Sequence, residues 1–69
     1  MKKTVYITGM MCMHCEARVK KLLEGMDGIS AAEVSHQKGT AVLTLSKDIA
    51  DASIKEIIEA DGYTVTNID

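Results

Sequence analysis

The hydrophobic pattern of this chain changes its period across residues 9–15, and this change limits the possible folds more than any other feature. The residues just before it, 4–8, alternate and favour a strand, which places Val5 and Ile7 on one face. The residues after it repeat at helical spacing, and their apolar stripe consists of Cys15, Val19, Leu22, Leu23 and Met26. The sequence therefore predicts a strand that ends at Gly9 and a helix that follows it.

Two further strands are predicted to form a hairpin. The first covers residues 29–37 and the second covers residues 40–45, and the short Lys38-Gly39 connection makes them antiparallel neighbours. The inward positions are Ala32, Val34 and His36 in the first strand and Ala41, Leu43 and Leu45 in the second. His36 is interpreted as a strand residue without a chemical role.

A second helix and a last strand complete the chain. The helix is predicted over residues 51–60, Asp61-Gly62 ends it, and residues 63–68 form the strand. The apolar side of the helix consists of Ile54, Ile57 and Ile58. The candidates for its N-cap are Asp48, Asp51 and the capping box that begins at Ser53.

The predicted order, βαββαβ, defines the fold class. It is the α+β, ferredoxin-like arrangement, in which a four-stranded antiparallel sheet carries two helices on one face. With 69 residues the chain is a single domain, 1–69, near the lower size limit for folding around one core. Because it has no Phe, Trp or Pro, the core must be built from Val, Ile, Leu, Ala and Met.

The charges are distributed unevenly along the chain. Residues 1–21 carry five basic side chains and one acidic side chain, whereas residues 22–69 carry three basic and nine acidic ones. This asymmetry fits either two ordinary solvated faces or a docking surface with electrostatic steering. A nucleic-acid partner is not expected, since basic residues are few and the only aromatic residues are Tyr6 and Tyr63.

The sequence also bears on the location of the protein. Only a short apolar run follows Lys2 and Lys3, so a signal peptide is not predicted, and no segment is long enough for membrane insertion. We therefore expect a cytoplasmic protein in a reducing compartment. Two close cysteines in that setting favour metal or redox chemistry over a structural disulfide.

Residues 9–15 read Gly-Met-Met-Cys-Met-His-Cys and form the candidate site. They contain both cysteines of the chain, three of its five methionines and one of its two histidines. So many soft or ionisable side chains between a strand and a helix are hard to explain by packing alone, and they predict a soft-metal site. Cys15 falls on the buried stripe of the first helical turn, whereas Cys12 lies three residues earlier, so one sulfur should be recessed and the other exposed.

This stretch resembles the Gly-Met-x-Cys-x-x-Cys signature of heavy-metal-associated domains. That family contains small copper chaperones and the amino-terminal domains of copper-transporting P-type ATPases. The similarity covers the whole chain, in its length, its element order, the Gly39-Thr40 turn and the closing Asp61-Gly62-Tyr63. The resemblance implies that Cys12 and Cys15 bind Cu(I).

The chemistry of the two cysteines agrees with this implication. Cu(I) is a soft ion that favours thiolate sulfur and accepts two ligands, whereas structural zinc usually takes four. The start of a helix also stabilises a thiolate through its backbone N–H groups and its dipole. A two-coordinate ion leaves room for an incoming third thiolate, so transfer to a partner can proceed by stepwise ligand exchange.

Three other residues are expected to support or tune the site. By resemblance, Met10 packs beneath the loop, although a thioether ligand is the alternative. His14 is either a solvent-facing imidazole or a group that tunes the thiolates or contributes a nitrogen in a copper-bridged dimer. Tyr63 resembles the tyrosine of bacterial chaperones, and its hydroxyl is expected near a cysteine sulfur.

Met11 and Met13 are interpreted as exposed loop residues. In similar domains that prefer zinc, cadmium or lead, the position of Met11 is often an aspartate, which is a harder donor. A soft residue at this position favours a monovalent metal.

The predicted function is therefore a non-enzymatic, cytosolic Cu(I) chaperone. The expected partner is a copper-transporting P-type ATPase or a copper-responsive transcriptional regulator, and a copper-bridged homodimer is a further alternative. The chain runs from Met1 to just past its last strand, which fits a free-standing carrier, but an ATPase domain or a carrier of Hg, Zn or Cd stays open. A thiol–disulfide oxidoreductase is disfavoured, because thioredoxin-like folds use a proline that this chain lacks.

Overall fold

The computed structural model describes all of residues 1–69 and contains the predicted order of helices and strands. The elements are β1 (Lys2–Thr8), α1 (Met13–Glu24), β2 (Ile29–Ser35), β3 (Thr40–Leu45), α2 (Asp51–Ala60) and β4 (Thr64–Ile68). The strands form one sheet in the order β2-β3-β1-β4, and every neighbouring pair is antiparallel. The prediction of a ferredoxin-like fold is confirmed.

One face of the sheet carries the core. In β3 every second residue is buried, and the same alternation places Val5 and Ile7 of β1 inward. The two helices cover this face, since α1 packs on β2 and α2, and α2 packs on β4. The largest fully buried side chains are Val5, Val19, Leu23, Leu43, Ile54 and Ile58. The core consists of Val, Ile, Leu, Ala and Met residues, as the composition predicted, with Tyr63 as its one aromatic member.

The second strand is shorter than predicted, and His36 does not belong to it. β2 ends at Ser35, which pairs with Thr40 of β3. The four residues between them, 36–39, form the turn, in which Gly39 has a φ of +66°. The prediction of a strand over 29–37 was therefore wrong at its end, because the cross-strand partner and the turn decide where the strand stops.

The start of the second helix follows the predicted bound but uses a different cap. The N-cap residue is Ala50, whose side chain makes no capping hydrogen bond, so none of the three candidates in the sequence serves as the cap. Lys3 reaches this end of the helix from β1. Its ammonium donates a hydrogen bond to the carbonyl oxygen of Ile49 at 3.0 Å and forms an ion pair with Asp51. The first strand therefore ties down the loop before α2.

No helix of the protein is both long enough and apolar enough to cross a lipid bilayer.

Candidate metal centre

The loop after β1 and the first turn of α1 bring the two cysteine sulfurs together. Cys12 is the N-cap residue of α1, with an extended backbone, and Cys15 lies in the first turn. Their Sγ atoms are 3.9 Å apart. Cys12 is exposed, whereas Cys15 is partly buried and packs against the core. The prediction of one recessed and one exposed sulfur is confirmed.

The distance between the two sulfurs is compatible with one shared metal ion. A disulfide bond would require about 2.05 Å, so both cysteines are free thiols. With metal–sulfur bonds of about 2.3 Å, an ion can bridge sulfurs that are about 3.8 to 4.6 Å apart, from tetrahedral to linear geometry. The observed 3.9 Å lies within this range. One ion could therefore contact both sulfurs with only a small change of the loop.

Gly9 allows the loop to approach Tyr63. Its φ of +97° lies in the left-handed region that residues with a side chain rarely adopt. A Cβ at this position would lie 3.5 Å from Cδ1 of Tyr63, so the backbone and the ring are already close neighbours. The glycine that ends the strand thus brings the loop into close contact with Tyr63.

The surroundings of Cys15 favour its thiolate. The pKa of Cys15 is lowered, first by its interaction with the Tyr63 hydroxyl and then by the backbone of Met11, while partial burial opposes the shift. The neighbouring Cys12 thiol and backbone lower it further. Cys15 is therefore more easily deprotonated than an ordinary cysteine, and a thiolate is the form that binds metal.

Tyr63 is a buried neighbour of the recessed sulfur. Its side chain is 9% exposed and belongs to the core, and its pKa is raised, chiefly by its interaction with Cys15. The phenol therefore stays protonated and keeps its hydrogen available. The structure shows one side-chain hydrogen bond to Cys15, which the Cys12 thiol donates. The Tyr63 hydroxyl makes no hydrogen bond to this sulfur, and its proton is available to a thiolate at Cys15.

Replacing Tyr63 with Phe is expected to raise the pKa of Cys15. The substitution removes the hydroxyl that contributes most to the lowered value, so alkylation of Cys15 should require a higher pH. Site-resolved mass spectrometry after timed alkylation across a pH series measures this shift. Tyr6→Phe is the matched control, because the Tyr6 hydroxyl donates to Asp69 at 3.0 Å. An equal shift in both variants would contradict the assignment.

The three methionines of residues 9–15 separate into one buried and two exposed residues, and Met13, predicted as a loop residue, is the first residue of α1. Met10 is 6% exposed and belongs to the core cluster, which agrees with packing beneath the loop. Met11 and Met13 are 87% and 71% exposed. They precede and follow Cys12 in the sequence, so both neighbours of the exposed cysteine carry soft apolar side chains.

The two histidines have different surroundings. His14 is exposed in the first turn of α1, and its side chain forms no hydrogen bond. His36 is partly buried, and its backbone N–H donates to the Glu16 carboxylate at 3.2 Å. Its Nδ1 lies 3.5 Å from the same carboxylate without hydrogen-bond geometry. Glu16, which follows Cys15, thus connects α1 to the turn between β2 and β3. The sequence does not reveal this contact.

A second contact that the sequence does not reveal joins Arg18 to Asp61. The two side chains form a bidentate ion pair, with Nε–Oδ2 and Nη2–Oδ1 distances of 3.1 and 3.0 Å. The partners are far apart in the sequence, and no local pattern signals the pair. The same limitation applies to Glu16 and His36.

Comparisons with known proteins agree with the fold. The model of the heavy-metal-associated domain matches residues 4–64. The copper chaperone CopZ of Staphylococcus saprophyticus is 34% identical over 64 residues, which cover 91% of this chain and 94% of that protein. A copper-binding domain from HMA7, a P-type ATPase, superimposes with a TM-score of 0.84 at 28% identity and covers 100% of this chain and 99% of that one.

An enzyme also contains a similar segment. The mercuric reductase of Acidithiobacillus ferrooxidans is 39% identical over 59 residues, which cover 86% of this chain but only 11% of the enzyme. The chain thus spans a small part of that relative and nearly all of the CopZ chaperone. It belongs to the heavy-metal-associated domain family.

Proposed function

We propose that this protein is a non-enzymatic, cytosolic Cu(I) chaperone that binds the ion through Cys12 and Cys15 and delivers it to a copper-transporting P-type ATPase. The observation that carries the proposal is the pair of free thiols 3.9 Å apart, one exposed and one recessed, at the start of α1. Copper is the cargo of the protein and does not take part in a reaction on another substrate.

The donor set favours a soft ion with few ligands. The two thiols meet without a third His, Asp or Glu side chain in a cluster that could hold a metal. Zn(II) usually takes four protein ligands in a structural site, whereas two thiolates can satisfy Cu(I). The exposed thioethers of Met11 and Met13 keep the surroundings soft, and Met10 supports the loop from the core.

The exposed position of Cys12 provides a route for transfer. A thiol of the acceptor loses its proton to solvent, and its sulfur then binds the copper ion beside Cys12 and Cys15. One sulfur of the donor leaves as a thiolate, and a second acceptor sulfur replaces the other in the same way. Copper stays Cu(I) in every step, so no oxidant or reductant is needed. The ion is always held by sulfur.

The comparisons support a carrier that meets a domain of its own kind. The copper chaperone relative has nearly the same length as this chain, and the similar ATPase domain has the same fold. An acceptor with that fold would present its own cysteine loop to Cys12. The uneven charge of the chain, basic before residue 22 and acidic after it, could orient the two domains.

One alternative is supported by a specific observation. The similar segment of a mercuric reductase and the two-thiol donor set both suit Hg(II). A domain of a longer ATPase, delivery to a copper-responsive regulator and a copper-bridged homodimer through His14 are variants of the same chemistry. The metal that the site prefers separates the main proposal from a divalent-metal carrier.

A competition titration of the reduced protein under nitrogen tests the proposal. Cu(I), Zn(II) and Hg(II) are titrated against chelators of known strength, and the dissociation constants are compared. We expect one Cu(I) per chain, bound orders of magnitude more tightly than Zn(II), since zinc would lack two of its usual ligands. Zn(II) binding as tight as Cu(I) binding would refute the proposal.

A further inference from the structure

The bidentate ion pair of Arg18 and Asp61 links the two helices next to the candidate site. Arg18 lies on α1 three residues after Cys15, and Asp61 is the C-cap residue of α2. Their two parallel bonds, of 3.1 and 3.0 Å, use the fork of the guanidinium against both carboxylate oxygens. The side chain of Arg18 is 66% exposed and that of Asp61 is 24% exposed, so the pair lies at the surface.

The position of this ion pair in the chain places it next to the turn that carries Tyr63. Asp61 precedes Tyr63 by only two residues, and the residue between them, Gly62, has a φ of +97°. A Cβ added to Gly62 would have no neighbour within 4 Å, so no other residue packs against the turn at this position. The Arg18–Asp61 ion pair, called the fork below, therefore links the turn that carries Tyr63 to the helix that carries Cys15.

The protonation of the four groups is coupled, which is consistent with the position of the ion pair. The pKa of Arg18 is raised, first by the hydrogen bond with Asp61, and also by the charges that Tyr63 and Cys15 can carry. These directions agree with the geometry of the ion pair, whose two bonds place the guanidinium at the turn that precedes Tyr63. The pKa of Tyr63 in turn responds to Cys15, Arg18 and Asp61.

We propose that Arg18 and Asp61 are positioning residues, which keep the Tyr63 hydroxyl on the side of the Cys15 sulfur and thereby set the rate at which Cys15 releases its metal ion. The release part of this inference rests on the proposed function. The positional part concerns the metal-free protein and stands independently of it.

The expected effect on release follows from the charge of the departing sulfur. An incoming ligand forms a bond to Cu(I), and the bond between copper and the Cys15 sulfur breaks. The electron pair stays on sulfur, which leaves as a thiolate. The Tyr63 hydroxyl then donates a hydrogen bond to this thiolate, which carries more charge than it did when bound to the metal. Stabilising the departing group in this way speeds release.

A structural role alone would not produce this effect. A bidentate pair can stabilise a fold more than other surface pairs, but loss of this single pair should leave the protein folded, and the melting temperature of each variant checks this. The chain offers a matched comparison in the ion pair of Lys47 and Asp27, at 2.6 Å, which lies beyond the far end of α1. Asp27→Asn removes the same charge as Asp61→Asn but leaves the Tyr63 turn unchanged.

The first experiment measures release of Cu(I) from the loaded full-length protein to bicinchoninate, which has no protein surface for docking. We expect Asp61→Asn and Tyr63→Phe each to slow release about tenfold, the size expected for loss of a hydrogen bond to a charged group. Arg18→Lys keeps the charge but loses the bidentate hydrogen bonds, so this variant should also release copper slowly. Asp27→Asn should release copper at the wild-type rate.

The double variant Asp61→Asn with Tyr63→Phe separates positioning from other effects. If the fork acts through the hydroxyl, the double variant is no slower than Tyr63→Phe alone. Additive slowing would overturn the inference. Release at the wild-type rate by both Arg18→Lys and Asp61→Asn would also overturn the inference, because the ion pair would then have no effect on release.

A second measurement tests the positional part without metal. In the reduced wild-type protein and in Asp27→Asn, nuclear Overhauser contacts should connect the Tyr63 ring with the Cys15 β protons. These contacts should weaken in Asp61→Asn, while its melting temperature stays near that of the wild type. Unchanged contacts would overturn the inference. If wild-type protein shows the contacts but does not bind Cu(I), the proposed function fails and the positional assignment stands.

Discussion

Replacing both Cys12 and Cys15 with serine is expected to abolish tight Cu(I) binding, with a loss of affinity of several orders of magnitude. A serine hydroxyl is a hard, protonated group at neutral pH and cannot replace a thiolate as a ligand for a soft ion. The fold should persist, because Cys12 is exposed and Cys15 is only partly buried. Affinity is measured by competition with a chelator, and the fold is monitored by circular dichroism.

The single variants and a control make this prediction specific. Each of Cys12→Ser and Cys15→Ser leaves one thiol and should lose most of the affinity, since one protein sulfur cannot enclose the ion. Met11→Ser is the matched control, because it exchanges an 87% exposed sulfur of the same loop for a hydroxyl and keeps both thiols. Copper binding at wild-type affinity in the double serine variant would show that the metal site lies elsewhere.

The largest effect on stability is expected from Leu23→Ala. Leu23 is fully buried in α1, and truncation of a buried leucine to alanine costs about 3 kcal/mol of the free energy of unfolding. A domain of 69 residues is expected to have about 3–10 kcal/mol in total, so this variant should lose a large share of its stability. Urea unfolding at equilibrium measures the difference.

Leu22 provides the control for this prediction. It is the adjacent leucine of the same helix, but it is only partly buried and lines an open groove between α1 and α2. Leu22→Ala should therefore cost about 1 kcal/mol or less. A greater loss for Leu22→Ala than for Leu23→Ala would contradict the packing of α1 on the sheet. Since α1 also carries Cys15, Leu23→Ala should loosen the metal site before the protein unfolds completely.

The parts of the fold that follow from local pattern could be predicted from the sequence. The bounds of β3 and α2 agree with prediction, because alternation and the isoleucine spacing are properties of neighbouring residues. The end of β2 is decided by the pairing of Ser35 with Thr40, and this depends on a second strand. The cap of α2 involves Lys3, which comes from the first strand.

The residues of the candidate site also divide into those that the sequence predicts and those that only the structure reveals. The two cysteines and their unequal exposure follow from the motif and from the helical stripe. The proximity of Tyr63 was expected only from the resemblance to a family, since no rule of spacing connects it to Cys15. The pair of Arg18 and Asp61 joins the middle of α1 to the C-terminal end of α2, so only the packed structure places the two residues together.

The N-cap of α1 has a consequence for the cargo loop. Cys12 occupies this position without making a capping hydrogen bond, although a serine or aspartate there typically adds about 1 kcal/mol to helix stability. The first turn of α1 is therefore weakly secured in the empty protein. An ion held between Cys12 and Cys15 would close that turn as a covalent staple would, and amide hydrogen exchange near residues 12–15 should slow when the cargo arrives and quicken again when it leaves.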